Sequence, residues 1–111
     1  LETDEKIQEL MERYQKIGMA DQSKWANQMA SFTRQLWNML QLARVITIGA
    51  YNRNESRGAH YKPEFPDRND EEWLKTTRAT FNPEKNGPDF SYEEVDVSFI
   101  KPRVRDYSKD K

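Results

Sequence analysis

The sequence contains no cysteine, a single histidine and no apolar run long enough to cross a membrane. Without cysteine, the chain has no disulfide and no cysteine-ligated zinc or iron-sulfur cluster. It also has no HExxH motif and no glycine-rich phosphate loop, which are the usual marks of a metal site or a cofactor cradle. We therefore predict neither a catalytic residue nor a metal site in these 111 residues.

Composition limits the chain to one modest domain, since 35% of its 111 residues are hydrophobic and 33% are charged. A domain of this size buries a small core and is marginally stable on its own. The sequence starts with Leu1 and has no apolar leader segment. We expect it to be an internal piece of a longer reading frame, with nothing in it that targets or crosses a membrane.

Charge is distributed unevenly, although the net charge is -1. Residues 22–62 hold six bases and one acid, whereas residues 1–21 and 63–111 each carry three more acids than bases. The basic residues on the predicted second helix are about ten positions apart, so they spread along the helix instead of forming a patch. Nucleic-acid binding is not predicted.

A short amphipathic helix is predicted at the start of the chain. Thr3 is a suitable N-cap, Asp4 and Glu5 favour the first turn, and Gly18 is a suitable C-cap. The apolar positions with helical spacing are Ile7, Leu10, Met11, Tyr14 and Ile17.

A longer helix is predicted to begin at Asp21 or Ser23. Its apolar residues recur at steps of four and three, which indicates one continuous seam. The seam consists of Trp25, Met29, Phe32, Leu36, Met39, Ala43, Ile46 and Ala50. Further apolar residues beside the seam predict that this helix packs against more than the first helix. Core packing explains the seam better than a cofactor pocket.

Gly58, Pro63 and Pro66 exclude a continuing helix. The predicted fold is mainly α, a bundle of two helices over residues 1–54, followed by an irregular loop over 55–72. A β-hairpin is predicted over 73–100, and an extended tail over 101–111. Its strands are predicted at 73–81 and 90–100, around turn residues 82–88, with the glutamates at 93 and 94 as a bulge or a strand start.

Arg57 is the most informative charged residue, because an arginine before glycine in a constrained loop can present a bidentate donor to a carboxylate, a carbonyl or a phosphate. Gly58 permits a positive φ there. The alternative is that Arg57 pairs with Glu55 or Asp67 and only stabilises the loop. His60, considered alone, is more often a hydrogen-bonded structural histidine than a proton shuttle.

Residues 55–60 read ESRGAH, and Phe65, Pro66 and Arg68 follow. With WLKTT at 73–77 and PRVRDY at 102–107, this pattern resembles the C-terminal signature of the succinate dehydrogenase and fumarate reductase flavoprotein family, and the charged hairpin and tail favour a bacterial succinate dehydrogenase. The resemblance implies a C-terminal domain of the flavoprotein subunit, whose FAD-binding and capping domains lie outside these residues.

The resemblance implies FAD bound by the absent N-terminal domain, none bound by this chain alone, and oxidation of succinate to fumarate only in the whole subunit. The implied partners are the rest of that subunit, an iron-sulfur subunit and, indirectly, a membrane anchor, at the cytoplasmic face of the bacterial membrane. It makes Arg57, His60 and Arg105 the candidates for cofactor-proximal or assembly residues. We assign Glu55, Gly58 and Arg68 to structuring the loop.

Three alternatives stay open: a stand-alone helical protein-interaction module, a fumarate reductase domain, and an L-aspartate oxidase domain. The wide apolar seam also predicts that the isolated chain forms a homodimer.

Overall fold

The computed structural model describes residues 2–103. The elements follow in the order α1 (Glu2–Tyr14), α2 (Gln28–Asn52), α3 (Asp70–Trp73), β1 (Lys75–Asn82) and β2 (Gly87–Glu94). The predicted fold class, mainly helical with a hairpin after the loop, is confirmed. The short helix α3 was not predicted, and most of the predicted tail, including Arg105, lies outside the described residues.

Helix α1 packs its apolar face on α2, but its predicted caps are wrong. Thr3 lies inside the helix, and Gly18 lies four residues beyond its end at Tyr14. The chain leaves α1 through successive hydrogen bonds between residues three apart, such as Ile17 N to Tyr14 O at 3.1 Å. These bonds satisfy the last carbonyl groups, so no glycine in the left-handed region is needed.

Helix α2 begins later than the sequence predicted, because its N-cap is Asn27 and neither Asp21 nor Ser23. The Asn27 Oδ1 accepts a hydrogen bond from Ala30 N at 2.9 Å. Its Nδ2 donates to the backbone carbonyls of Asp21 and Ser23, which belong to a separate turn. Ala26 has a φ of 52°, a left-handed conformation that prevents the helix from extending towards earlier residues.

The small core lies between α1 and α2. Ile7, Met11 and Leu40 are buried, with Tyr14, Trp37 and Ala43 packed around them. The rings of Tyr14 and Trp37 contact each other at a tilt of 36°, with their centroids 5.0 Å apart. One core of this size agrees with the modest domain that the composition predicts.

Helix α2 also contacts the hairpin, so it packs against more than the first helix, although the sequence did not predict the hairpin as that partner. A Cβ placed on Gly49 would lie 3.4 Å from the ring of Phe90, so the helix and β2 approach closely there. Much of the seam nevertheless faces outward. Trp25 is 90% exposed, Phe32 65% and Ile46 70%.

The strands pair antiparallel from Lys75 opposite Glu94 to Asn82 opposite Gly87, around a turn of residues 83–86. The predicted second strand, 90–100, is therefore wrong by several residues, and Glu93 and Glu94 end the strand without a bulge. The physical reason is that α3 occupies the residues before Lys75, so nothing in β1 can pair with residues beyond Glu94. No helix in residues 2–103 is long and apolar enough to span a bilayer.

Candidate functional site

The loop after α2 folds around the carboxylate of Glu55, whose exposed fraction is 0%. Arg57 donates to this carboxylate through both Nε, at 2.8 Å, and Nη2, at 2.9 Å. Arg53 Nη1 and the backbone N–H of Asn69, at 3.0 Å, also donate to it. A buried charge with four donors is fully compensated, so the loop is built outward from Glu55.

A second carboxylate, Asp70, lies beside the first. Its Oδ1 accepts from Arg57 Nη2 at 2.6 Å, and its Oδ2 accepts from Arg68 Nη2 at 2.5 Å. Arg53, Glu55, Arg57, Arg68 and Asp70 form what we name the Glu55 cluster. Three cations against two anions leave the cluster with one excess positive charge.

The contacts within the Glu55 cluster shift the pKa values of Glu55, Arg57 and Asp70 towards their charged forms. Burial acts to raise the pKa of Glu55, but hydrogen bonds from Arg57, Asn69 and Arg53 outweigh it and hold the pKa below its usual value. The Glu55 carboxylate in turn raises the pKa of Arg57. Arg68 and then Arg57 lower the pKa of Asp70.

A tight turn places Arg57 beside His60. The backbone N–H of each donates to the carbonyl of the other, at 2.9 and 3.0 Å. Gly58 occupies the first central position with a φ of 58°, as the sequence predicted, and Ala59 has no positive φ, a combination typical of a type II′ turn. His60 Nε2 lies 3.2 Å from the Arg53 carbonyl, which fits the tautomer protonated at Nε2.

Arg53 is the site residue that the sequence analysis missed. Its guanidinium donates to the carbonyls of Trp73, at 2.9 Å, and Lys75, at 2.6 Å, as well as to the Thr77 hydroxyl at 3.1 Å. It therefore connects the Glu55 loop to the hairpin. The signal lay in the spacing Arg-x-Glu-x-Arg at 53–57, which places all three side chains on one side of an extended segment.

The rest of the loop is fixed by local hydrogen bonds. The Ser56 hydroxyl donates to the Phe65 carbonyl at 2.8 Å and accepts from Lys62 N at 3.0 Å. Lys62 Nζ lies 5.2 Å from the ring centroid of Tyr51 and 5.3 Å from that of Phe65, in cation-π geometry. This loop is therefore a rigid support for Arg57.

Of the two acidic partners predicted for Arg57, Glu55 is correct and Asp67 is wrong. Asp67 contributes its backbone carbonyl, which accepts from Ser56 N at 3.1 Å, and Asp70 takes the second place at Arg57. Of Asp67 and Asp70, only Asp70 reaches the guanidinium of Arg57.

Arg68 carries the link from the cluster to the last described residues. Its Nη1 donates to the Arg103 carbonyl at 2.8 Å. Its Nε is buried without a hydrogen-bond partner among residues 2–103. Arg105, the third predicted site residue, follows Arg103 by two positions and lies outside the described part of the chain.

Chemically, the site offers a fixed positive charge and no nucleophile. Arg57 uses Nε and Nη2 for the two carboxylates, and its Nη1 makes no hydrogen bond with the described residues. Within residues 2–103, no three potential ligands are grouped to hold a metal ion. The arrangement suits an anionic or electron-rich group brought to Arg57 from outside the chain.

Residues 1–107 match the family model described as fumarate reductase flavoprotein C-term. The chain belongs to this family. The family recognised from the signature at 55–68 is thereby confirmed.

Curated relatives come from both branches of the family. The succinate dehydrogenase flavoprotein subunit of Bacillus subtilis (strain 168) is 68% identical over 111 residues, which is 100% of this chain and 19% of the relative. The fumarate reductase flavoprotein subunit of Haemophilus influenzae (strain ATCC 51907 / DSM 11121 / KW20 / Rd) is 37% identical over 103 residues, 93% of this chain and 17% of the relative. This chain therefore spans less than a fifth of the length of these two relatives.

A solved structure shares the fold. The flavoprotein chain of a mutant E. coli quinol fumarate reductase aligns with this chain at a TM-score of 0.84 and 28% sequence identity. The alignment covers 93% of this chain and 18% of the fumarate reductase chain. The helices, the signature loop and the hairpin described above are therefore a fold found in that flavoprotein family.

Proposed function

We propose that this chain is the C-terminal helical domain of the flavoprotein subunit of a succinate dehydrogenase, a succinate:quinone oxidoreductase that oxidises succinate to fumarate. The observation that carries the proposal is the 68% identity over the whole chain to a succinate dehydrogenase flavoprotein subunit. The 37% identity to a fumarate reductase subunit is much lower. The domain itself supports flavin attachment and assembly and does not catalyse the reaction alone.

FAD belongs to the part of the subunit outside this chain, where it accepts the electrons of the substrate. The residues of this chain fit a place beside the flavin. Its sequence has no phosphate-binding loop, whereas the Glu55 cluster carries an excess positive charge and holds Arg57 Nη1 without a partner among residues 2–103. A fixed cation is what a reduced or anionic flavin ring requires nearby.

Arg57, His60 and Arg105 are the residues proposed to face the flavin domain. His60 pairs with Arg57 across the turn at Gly58, and its Nε2 lies 3.2 Å from the Arg53 carbonyl. Glu55, Gly58 and Arg68 structure this loop, as their hydrogen bonds and backbone conformation support.

The exposed seam of α2 is proposed to pack on the rest of the flavoprotein subunit. Phe32, Met39 and Ile46 on this helix, and Trp25 just before it, are large apolar side chains left mostly exposed. The iron-sulfur subunit lies near this domain in the proposed complex, and a membrane anchor contacts it only indirectly. The complex is peripheral, at the cytoplasmic face of the bacterial membrane.

The test is substitution in the full-length subunit, with covalent flavin read from fluorescence in denaturing gels and turnover from succinate oxidation. Arg57→Ala and Arg105→Ala should lower covalent flavin, with a smaller effect of His60→Ala. The matched control is Arg78→Ala, since Arg78 is an exposed hairpin arginine whose ion pair is with Glu93. Normal flavin loading and turnover in the Arg57 and Arg105 variants would refute the proposed role.

The competing function is a stand-alone module that docks a protein partner through the exposed seam. The length of the native polypeptide distinguishes the flavoprotein domain from the stand-alone module. A long chain with an upstream dinucleotide-binding region supports the flavoprotein, and a chain of this length alone supports the module. Assays with succinate, fumarate and L-aspartate then separate succinate dehydrogenase from fumarate reductase and L-aspartate oxidase.

A further inference from the structure

Two carboxylates hold the guanidinium of Arg57 through its Nε and Nη2 atoms. Its Nε and Nη2 contact Glu55 at 2.8 and 2.9 Å, and Nη2 also contacts Asp70 at 2.6 Å. Its Nη1 makes no hydrogen bond with residues 2–103. Because a guanidinium is planar, one carboxylate on its Nε/Nη2 edge and a second one at Nη2 together determine the direction in which Nη1 points.

Arg57 is also a terminal member of the network. Arg53 reaches the hairpin through the carbonyls of Trp73 and Lys75, and Arg68 reaches the Arg103 carbonyl. The Arg57 side chain, in contrast, bonds only to the two carboxylates among the described residues. Arg53 and Arg68 connect separate parts of the fold. Arg57 is held by the network, but its side chain links the network to no other part of the described chain.

We propose that Glu55 and Asp70 are positioning residues that fix the plane of Arg57, so that Nη1 points at the flavin of the complete subunit. The proposal rests on the proposed function of Arg57. Neither carboxylate touches the flavin. Glu55 is suited to this task because Arg53 and the Asn69 N–H hold it in turn, so its own rotamer is fixed.

A double-mutant cycle in the full-length flavoprotein tests the proposal, with Glu55→Gln, Arg57→Ala and the double variant. The readouts are the fraction of covalent flavin, the flavin absorption spectrum and the melting temperature of the subunit. Each single variant should lower covalent flavin about tenfold, as for the loss of one charge-assisted hydrogen bond. The double variant should be no lower than Arg57→Ala, because Glu55 acts through Arg57.

Independent losses that multiply in the double variant would overturn the positioning role, as would normal flavin in Glu55→Gln. Neither result affects the proposed role of Arg57 itself, which is refuted if Arg57→Ala keeps normal flavin. If Glu55→Gln does not fold, the same cycle with Asp70→Asn decides, because the Asp70 side chain is 33% exposed. Asp89→Asn, on the hairpin and paired with Lys85, is the matched control and should leave flavin unchanged.

Discussion

Asp4 in α1 and Arg44 in α2 form an ion pair across 40 residues, with Arg44 Nε 2.8 Å from Asp4 Oδ1. Both side chains are 11% exposed. Arg44 Nη1 also donates to the carbonyl of Asn86 in the hairpin turn at 2.8 Å. A Cβ on Gly87 would lie 3.2 Å from the same nitrogen, so this glycine lets the turn approach. One arginine thus joins both long helices to the hairpin.

Asp4→Ala should therefore destabilise the chain strongly, because it leaves Arg44 buried without its carboxylate. We expect a loss of about 3 kcal/mol in the free energy of unfolding, the low end for breaking a buried pair. Urea denaturation followed by circular dichroism measures it. The control is Lys6→Ala, which removes an exposed pair with Glu9 and should change little. Equal effects of the two variants would contradict the buried pair.

Stability should fall in acid. Arg44 lowers the pKa of Asp4, and the net effect on Glu55 is also a lowered pKa. The unfolded chain binds protons near the ordinary values, about 3.9 for Asp and 4.3 for Glu, so it binds more protons than the folded chain in this range. The stability contributed is present above these values and is lost as pH falls through the folded pKa values.

The free energy of unfolding should thus be steady from pH 7 to about 5 and then decline towards pH 3. The Asp4→Asn variant should have a lower free energy of unfolding at pH 7 and a smaller decline in acid, because it has no Asp4 carboxylate to protonate. Urea titrations at several pH values measure both slopes. An identical slope in the variant would show that the pair does not perturb Asp4.

Gly58→Ala should cost about 1 kcal/mol in the free energy of unfolding, because alanine is strained at a φ of 58°. No atom lies within 4 Å of the added Cβ, so backbone strain is the whole effect. Gly18→Ala is the matched control, since its Cβ is equally unhindered and its φ is ordinary. That variant should be unchanged or slightly stabilised. Thermal melts of both test this, and equal melting temperatures would refute the strain.

The isolated chain should form a homodimer through the exposed seam. Phe32→Glu and Ile46→Glu place charges on this seam and should give monomers, because both residues are largely exposed and neither belongs to the core. Analytical ultracentrifugation over a range of concentrations measures the association. If the unmodified chain stays monomeric at high concentration, the exposed seam does not mediate dimerisation.

The sequence predicted the helices, the loop and the hairpin because each follows from local periodicity or turn residues. It misplaced the start of α2, since Asp21, Ser23 and Asn27 are all good N-caps and only the backbone at Ala26 decides among them. It misplaced β2 because the register depends on where α3 ends. Local sequence patterns therefore predict which helices and strands form, whereas the residues at which they begin and end depend on the adjacent parts of the structure.

The family was readable from the signature, but the hydrogen-bond partners of Arg57 were only partly readable from the sequence. Asp67 and Asp70 are three residues apart, and the path of the loop selects Asp70. The pair of Asp4 and Arg44 is separated by 40 residues and has no local signal at all. Contacts of this kind depend on the packing of whole elements, which no spacing rule describes.

The most direct measurement replaces the C-terminal segment of the 68% identical succinate dehydrogenase flavoprotein with this chain. Flavin attachment and succinate oxidation are then measured in the assembled complex, with Arg57→Ala in the same chimera as control. We expect the chimera to carry covalent flavin and oxidise succinate, and the Arg57 variant to lose most of both. A chimera that folds and assembles but takes up no flavin would contradict the proposed function.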